Sequence, residues 1–103
     1  MIKDLNYLNF KDNIQSGIVL VDYWAYWYIP CLTQDPILKE IEVEIGDKAL
    51  IAKVDINDNK VIAKEQNVKN IPSLILYKNG REIQRFTGIQ SKEIIINAIN
   101  KNL

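Results

Sequence analysis

The sequence predicts an α/β fold, a mixed sheet flanked by helices. Three observations carry this. Residues Ile18–Trp24, 49–56 and 73–77 form short apolar runs rich in β-branched and aromatic side chains, as in strands buried on both faces of a parallel sheet. Between the first two runs, apolar residues recur at helical spacing. Near the end, Asn79-Gly80 separates residues 74–77 from 82–86, a strong two-residue hairpin signal because both turn positions need positive φ.

In chain order, residues 9–15 form a short, weakly signalled first helix closed by Gly17. The strand Ile18–Trp24 follows. Ile37, Leu38, Ile41 and Ile45 then mark one helix face, with Gly46 at its close and Pro36 inside it as an expected kink. After the second strand, residues 59–66 make a further helix, with Val61, Ile62 and Glu65 setting its faces. The hairpin comes next, and Gly88 breaks its second strand. Ser91 caps a final helix that buries Ile95, Ala98 and Ile99. No repeat, linker or low-complexity segment divides residues 1–103, so a single domain is expected.

Composition narrows the function. Thirteen Lys+Arg balance thirteen Asp+Glu, leaving no electrostatic footprint for nucleic acid or an anionic membrane. There is no His, which excludes His triads, His general bases and the usual zinc sites; no metal is expected. One Cys allows no internal disulfide. The longest uncharged run, residues 23–34, is too short for a membrane helix. Met1-Ile2-Lys3-Asp4-Leu5 does not read as a secretory signal, so a cytoplasmic protein is expected.

Candidate chemistry lies in Trp24-Ala25-Tyr26-Trp27-Tyr28-Ile29-Pro30-Cys31. This segment runs from the C-terminal end of a buried strand into a helix N-terminus, where open α/β sheets place their sites and where the helix dipole favours a thiolate. Two Trp and three Tyr between residues 23 and 28 are too many aromatics for a simple connection. Tyr23 and Trp24 are expected in the core, Trp27 and Tyr28 at the surface. Asp22 interrupts an apolar strand, where Asp is disfavoured. If buried, it must pair or stay protonated, and Lys53 is its expected partner.

The segment Val21-Asp22-Tyr23-Trp24-Ala25-Tyr26-Trp27-Tyr28-Ile29-Pro30-Cys31 resembles the thioredoxin-family motif V-D-F-W-A-x-W-C-G-P-C. Pro36, Lys53-Val54-Asp55, Ile71-Pro72-Ser73-Leu74, Gly80 and Gly88 match further family features in order along essentially the whole chain. The resemblance implies the thioredoxin fold: a central mixed sheet of about five strands flanked by about four helices. It implies protein or peptide clients, a thioredoxin reductase as candidate partner, a monomeric chain, and no cofactor.

Residue by residue, the resemblance makes Cys31 the resolving cysteine and Asp22 the buried carboxylate that takes its proton. It makes Lys53 the lysine that tunes that carboxylate. Pro72 becomes the cis-proline facing the site, and Ile71 the backbone that pairs with a client strand. Trp27, Ile29, Pro30 and Gly88 fall on the groove.

Tyr28 departs from the pattern, since it stands where the family carries its nucleophilic cysteine. A phenol forms no disulfide and stays neutral at pH 7, so the dithiol cycle, which needs a mixed disulfide at that first sulfur, cannot run. Ile29 replaces a small Gly. Two readings stay open: a monothiol or very weak disulfide oxidoreductase acting through Cys31, and a redox-silent module that keeps the groove to hold a partner segment. Cys31 could equally be an inert core residue, the aromatics plain packing, Pro72 a simple turn former, and Lys92, Glu93 and Lys101 a solvated face.

Overall fold

The computed structural model describes residues 1–103. Its elements run β1 (Lys3–Asp4), α1 (Phe10–Ile14), β2 (Ile18–Trp24), α2 (Ile29–Ile45), a 3-10 turn (Gly46–Lys48), β3 (Leu50–Asp55), α3 (Lys60–Glu65), β4 (Ser73–Lys78), β5 (Arg81–Thr87) and α4 (Lys92–Lys101). The five strands form one sheet in the order β1-β3-β2-β4-β5. β1 and β2 run parallel to β3, while β4 runs antiparallel to both β2 and β5.

Successive side chains of a strand point to opposite faces, and β2 feeds two cores this way. Ile18 and Leu20 join Leu38, Ile41, Ile45, Ile95 and Ile99 under α2 and α4. Val19, Val21 and Tyr23 join Phe10, Ile14 and Ile62 under α1 and α3. Each fully buried Leu or Ile contributes about 1.5–3 kcal/mol. The same alternation assigns Asp22 to the α2 side of the sheet. Lys53 falls there too, because its neighbour Ile51 packs in the first core and Ala52 and Val54 in the second.

The hairpin turn has Asn79 at φ +51° and Gly80 at φ +84°, as its sequence demands. Ser91 caps α4 by accepting a hydrogen bond from the Ile94 amide. Helix α2 begins eight residues before the Ile37 stripe and continues across Pro36. In α3 Ile62 sets the buried face, and Val61 and Glu65 are exposed. Val61 and Ile62 are adjacent and so lie about 100° apart around the helix, which turns one to the core and the other to solvent. The short edge strand β1 carried no sequence signal. No helix is long and apolar enough to cross a membrane.

Candidate functional site

Strand β2 ends at Trp24, and the chain turns through Tyr26 and Trp27 into α2. Tyr28 is the N-cap residue, extended at φ −106° and ψ 115°, and its side chain caps nothing. Its carbonyl accepts hydrogen bonds from the amides of Cys31 and Leu32. Pro30 lies in the first turn, where a missing N–H is harmless. The phenol is therefore free to face outward: Tyr28 is 40% exposed, Trp27 58% and Ile29 74%. The Trp27 and Tyr28 rings meet edge to face, centroids 5.8 Å apart, a preferred aromatic geometry.

Cys31, within the first turn of the same helix, is only 1% exposed. Burial pushes its thiol above the ordinary range, against a hydrogen bond with the Ala25 backbone that pulls it down; Asp22 adds to the rise and Lys53 opposes it. A buried, protonated thiol is a poor nucleophile.

Asp22 is fully buried, and neither carboxylate oxygen has a hydrogen-bond partner. Loss of water raises its pKa to about 7; Lys53 pulls the other way and Asp35 adds to the rise. The expected Lys53–Asp22 pair is not formed. Lys53 lies opposite Asp22 in the β2–β3 register, but its ammonium bonds Asp35 on α2 and sits 4.1 Å from the Trp24 ring centroid. A lysine stem is long enough to carry its charge to a better-hydrated partner, and Asp35 is partly exposed. Lys39 also pairs with Asp35, at 3.3 Å. Burial works against the Asp35 anion, but these two lysines win and hold its carboxyl below the ordinary value.

The Ile71–Pro72 peptide is cis. Ile71 is half-buried and Pro72 buried. A shallow depression of about 210 Å³ brings Trp27 and Tyr28 together with Lys69, Asn70 and Ile71. Ile29 and Pro30 continue from its aromatic wall along α2. Gly88, at φ +87°, joins this region through its amide, which donates to the Pro72 carbonyl at 2.8 Å. A larger cleft, about 500 Å³, is lined by Trp24, Lys53, Asp4, Asp55, Asp58 and Asn59 among others. No cluster of His, Cys, Asp and Glu side chains could hold a metal.

Sequence reasoning brought Asp22, Tyr28, Cys31, Lys53, Ile71 and Pro72 into view and missed two residues. Asp35 takes the lysine expected for Asp22. Gln34, fully buried, exchanges hydrogen bonds with Gln90. The signal for Gln34 was its spacing with Leu38, Ile41 and Ile45, which makes it a polar residue in an otherwise apolar stripe.

The family model described as Thioredoxin matches residues 1–101. A thioredoxin of Staphylococcus saprophyticus is 42% identical over 95 residues, covering 92% of this chain and 91% of that protein. A thioredoxin of Chlamydia caviae is 38% identical over 102 residues, 99% of each chain, and one of Bacillus subtilis is 36% identical over 95 residues, 92% of this chain and 91% of its own.

Proposed function

The chain belongs to the thioredoxin family, and from that premise we propose that it uses the family's client groove to hold an extended protein or peptide segment without running a dithiol cycle. The observation that carries this is a contrast within one helical turn. Trp27 and Tyr28 open to solvent beside Ile71, and Ile29 is exposed next to them at the start of α2, while Cys31 is sealed. Rigid aromatic side chains supply large contact area at low entropic cost, and the family resemblance makes the Ile71 backbone the one that pairs with an added client strand. Thiol–disulfide homeostasis is the inherited setting. We assign the chain to a reducing cytoplasm, where thiols stay unpaired, acting as one monomeric domain over residues 1–103.

The test is a thiol-blocked polypeptide, S-carboxymethylated insulin B chain, titrated while backbone amide shifts are followed. Shifts concentrated at Trp27, Tyr28 and Ile71 support the reading; no saturable shift there overturns it.

A second reading, monothiol exchange at Cys31, rests on Asp22, whose pKa near 7 lets it take the thiol proton. The thiolate would attack a client disulfide, expel one half as a thiolate and leave a mixed disulfide for an external thiol to resolve. Reaction of native Cys31 with a small disulfide reagent at a rate near that of the unfolded chain favours this reading. A rate at least a hundredfold slower removes it.

A further inference from the structure

Gln34 is the one fully buried amide in α2. Left unpaired there, an amide that has given up its water is destabilising. Both ends of this one go to the backbone of a single residue. Its Oε1 accepts from the Gln90 amide at 2.7 Å, and its Nε2 donates to the Gln90 carbonyl at 3.1 Å. Two bonds to one residue fix orientation as well as distance.

The contact does not stop at Gln90. The Gln90 side chain donates back to the carbonyls of Thr87 at 3.2 Å and Gly88 at 3.3 Å, which folds residues 87–90 onto themselves. The Gly88 amide donates to the Pro72 carbonyl. Pro72 follows Ile71, which lines the depression with Trp27 and Tyr28. Gln34 stands five residues after Ile29 on the helix that carries the aromatic rim. One continuous chain of hydrogen bonds thus links that helix to the opposite wall.

We propose that Gln34 is the positioning residue of the groove: through Gln90 and Gly88 its amide holds the Ile71–Pro72 wall in register with the rim formed by Trp27, Tyr28 and Ile29. This rests on the client-groove reading. An apolar residue at position 34 would fill the same space and still pack α2, but it would leave the Gln90 amide and carbonyl without these partners. The loop, and with it Pro72, would lose its tie to the helix.

Gln34→Met keeps the volume and removes both bonds. Amide hydrogen exchange should accelerate at least tenfold at Gln90 and Gly88, with β4 and the body of α4 unchanged. Affinity for S-carboxymethylated insulin B chain should fall at least fivefold. Gln34→Glu provides the rescue, and survives as a test if the Met variant does not fold. Below pH 5 its buried carboxylic acid is protonated and both accepts and donates, so protection relative to wild type at the same pH returns. At high pH the carboxylate can only accept, the bond to the Gln90 carbonyl is gone, and protection at Gly88 is lost. Unchanged exchange at Gly88, uniform acceleration across β4 and α4, no rescue at low pH, or unaltered affinity in the Met variant would each overturn the proposal. If the wild type fails to bind the polypeptide while Gly88 exchange still follows Gln34, the client reading falls and the positioning of the wall by Gln34 stands.

Discussion

Lys53 lies directly opposite Asp22 across the β2–β3 pairing, yet its ammonium bonds Asp35 on α2. Asp22 is left fully buried with both oxygens unpartnered. Its proton affinity is therefore set by three groups: the Lys53 charge, the Asp35 charge, and the water it has lost. Cys31, on the same helix as Asp35, feels Asp22 and Lys53 as well.

Asp35→Asn should lower the pKa of Asp22. The substitution removes a negative charge that raises it and frees Lys53 to turn toward it. The measurement is a titration of the Asp22 side-chain carboxyl by carbon NMR in wild type and variant. A value in the variant at or above the wild type's contradicts the arrangement.

Stability should fall as pH rises from about 4 to about 7, and Asp22 should be the cause. Its carboxyl keeps its proton in the folded chain up to about pH 7 but releases it near 3.8 when exposed. The folded state binds more protons across that window, so the contribution is complete below it and lost on the way up. The window spans about three pH units, on the order of 4 kcal/mol at ~1.4 kcal/mol each. Urea unfolding of wild type and Asp22→Asn at pH 4, 6 and 8 reads the difference directly. Parallel pH slopes in the two proteins contradict the prediction.

Much of this was legible because local rules and the fold agree. β2 was legible to its ends because a run of β-branched and aromatic residues has one buried solution. The hairpin was legible because Asn79-Gly80 admits few turns, and the α4 start because Ser91 is a good cap. The site segment was legible because aromatics and Asp22 violate the composition expected of a loop and a core strand. Other features depend on distances no sequence carries. The lysine stem reaches α2 only because β3 and α2 stack as they do. Gln34 and Gln90 lie 56 residues apart and meet only through the packing of α2 against the segment leading into α4. β1 is two residues long and gains its pairing from β3, so it has no periodicity of its own.

Tyr28→Cys should restore a working dithiol. The new thiol would stand at the N-cap of α2, where the helix dipole lowers its pKa. Its thiolate would attack a client disulfide and release one client thiolate. Cys31, losing its proton to Asp22, would then displace the second and close an internal disulfide. Insulin reduction with a dithiol as electron source should rise at least a hundredfold over the parent. A variant that folds and oxidises internally yet reduces no insulin contradicts the assignment of Ile71 and Pro72 as the client wall.

The central claim is that the groove binds without the thiol, and one comparison tests it most directly. The affinity for S-carboxymethylated insulin B chain is measured by calorimetry for wild type, Cys31→Ala and Trp27→Ala. Trp27 offers an exposed ring beside Ile71, whereas Cys31 is buried under the rim. Loss of a well-packed aromatic contact typically exceeds 1 kcal/mol, so Trp27→Ala should weaken binding about tenfold. Cys31→Ala should stay within about twofold of wild type. The opposite pattern, with binding lost on removing the thiol and unchanged on removing the ring, would contradict the account.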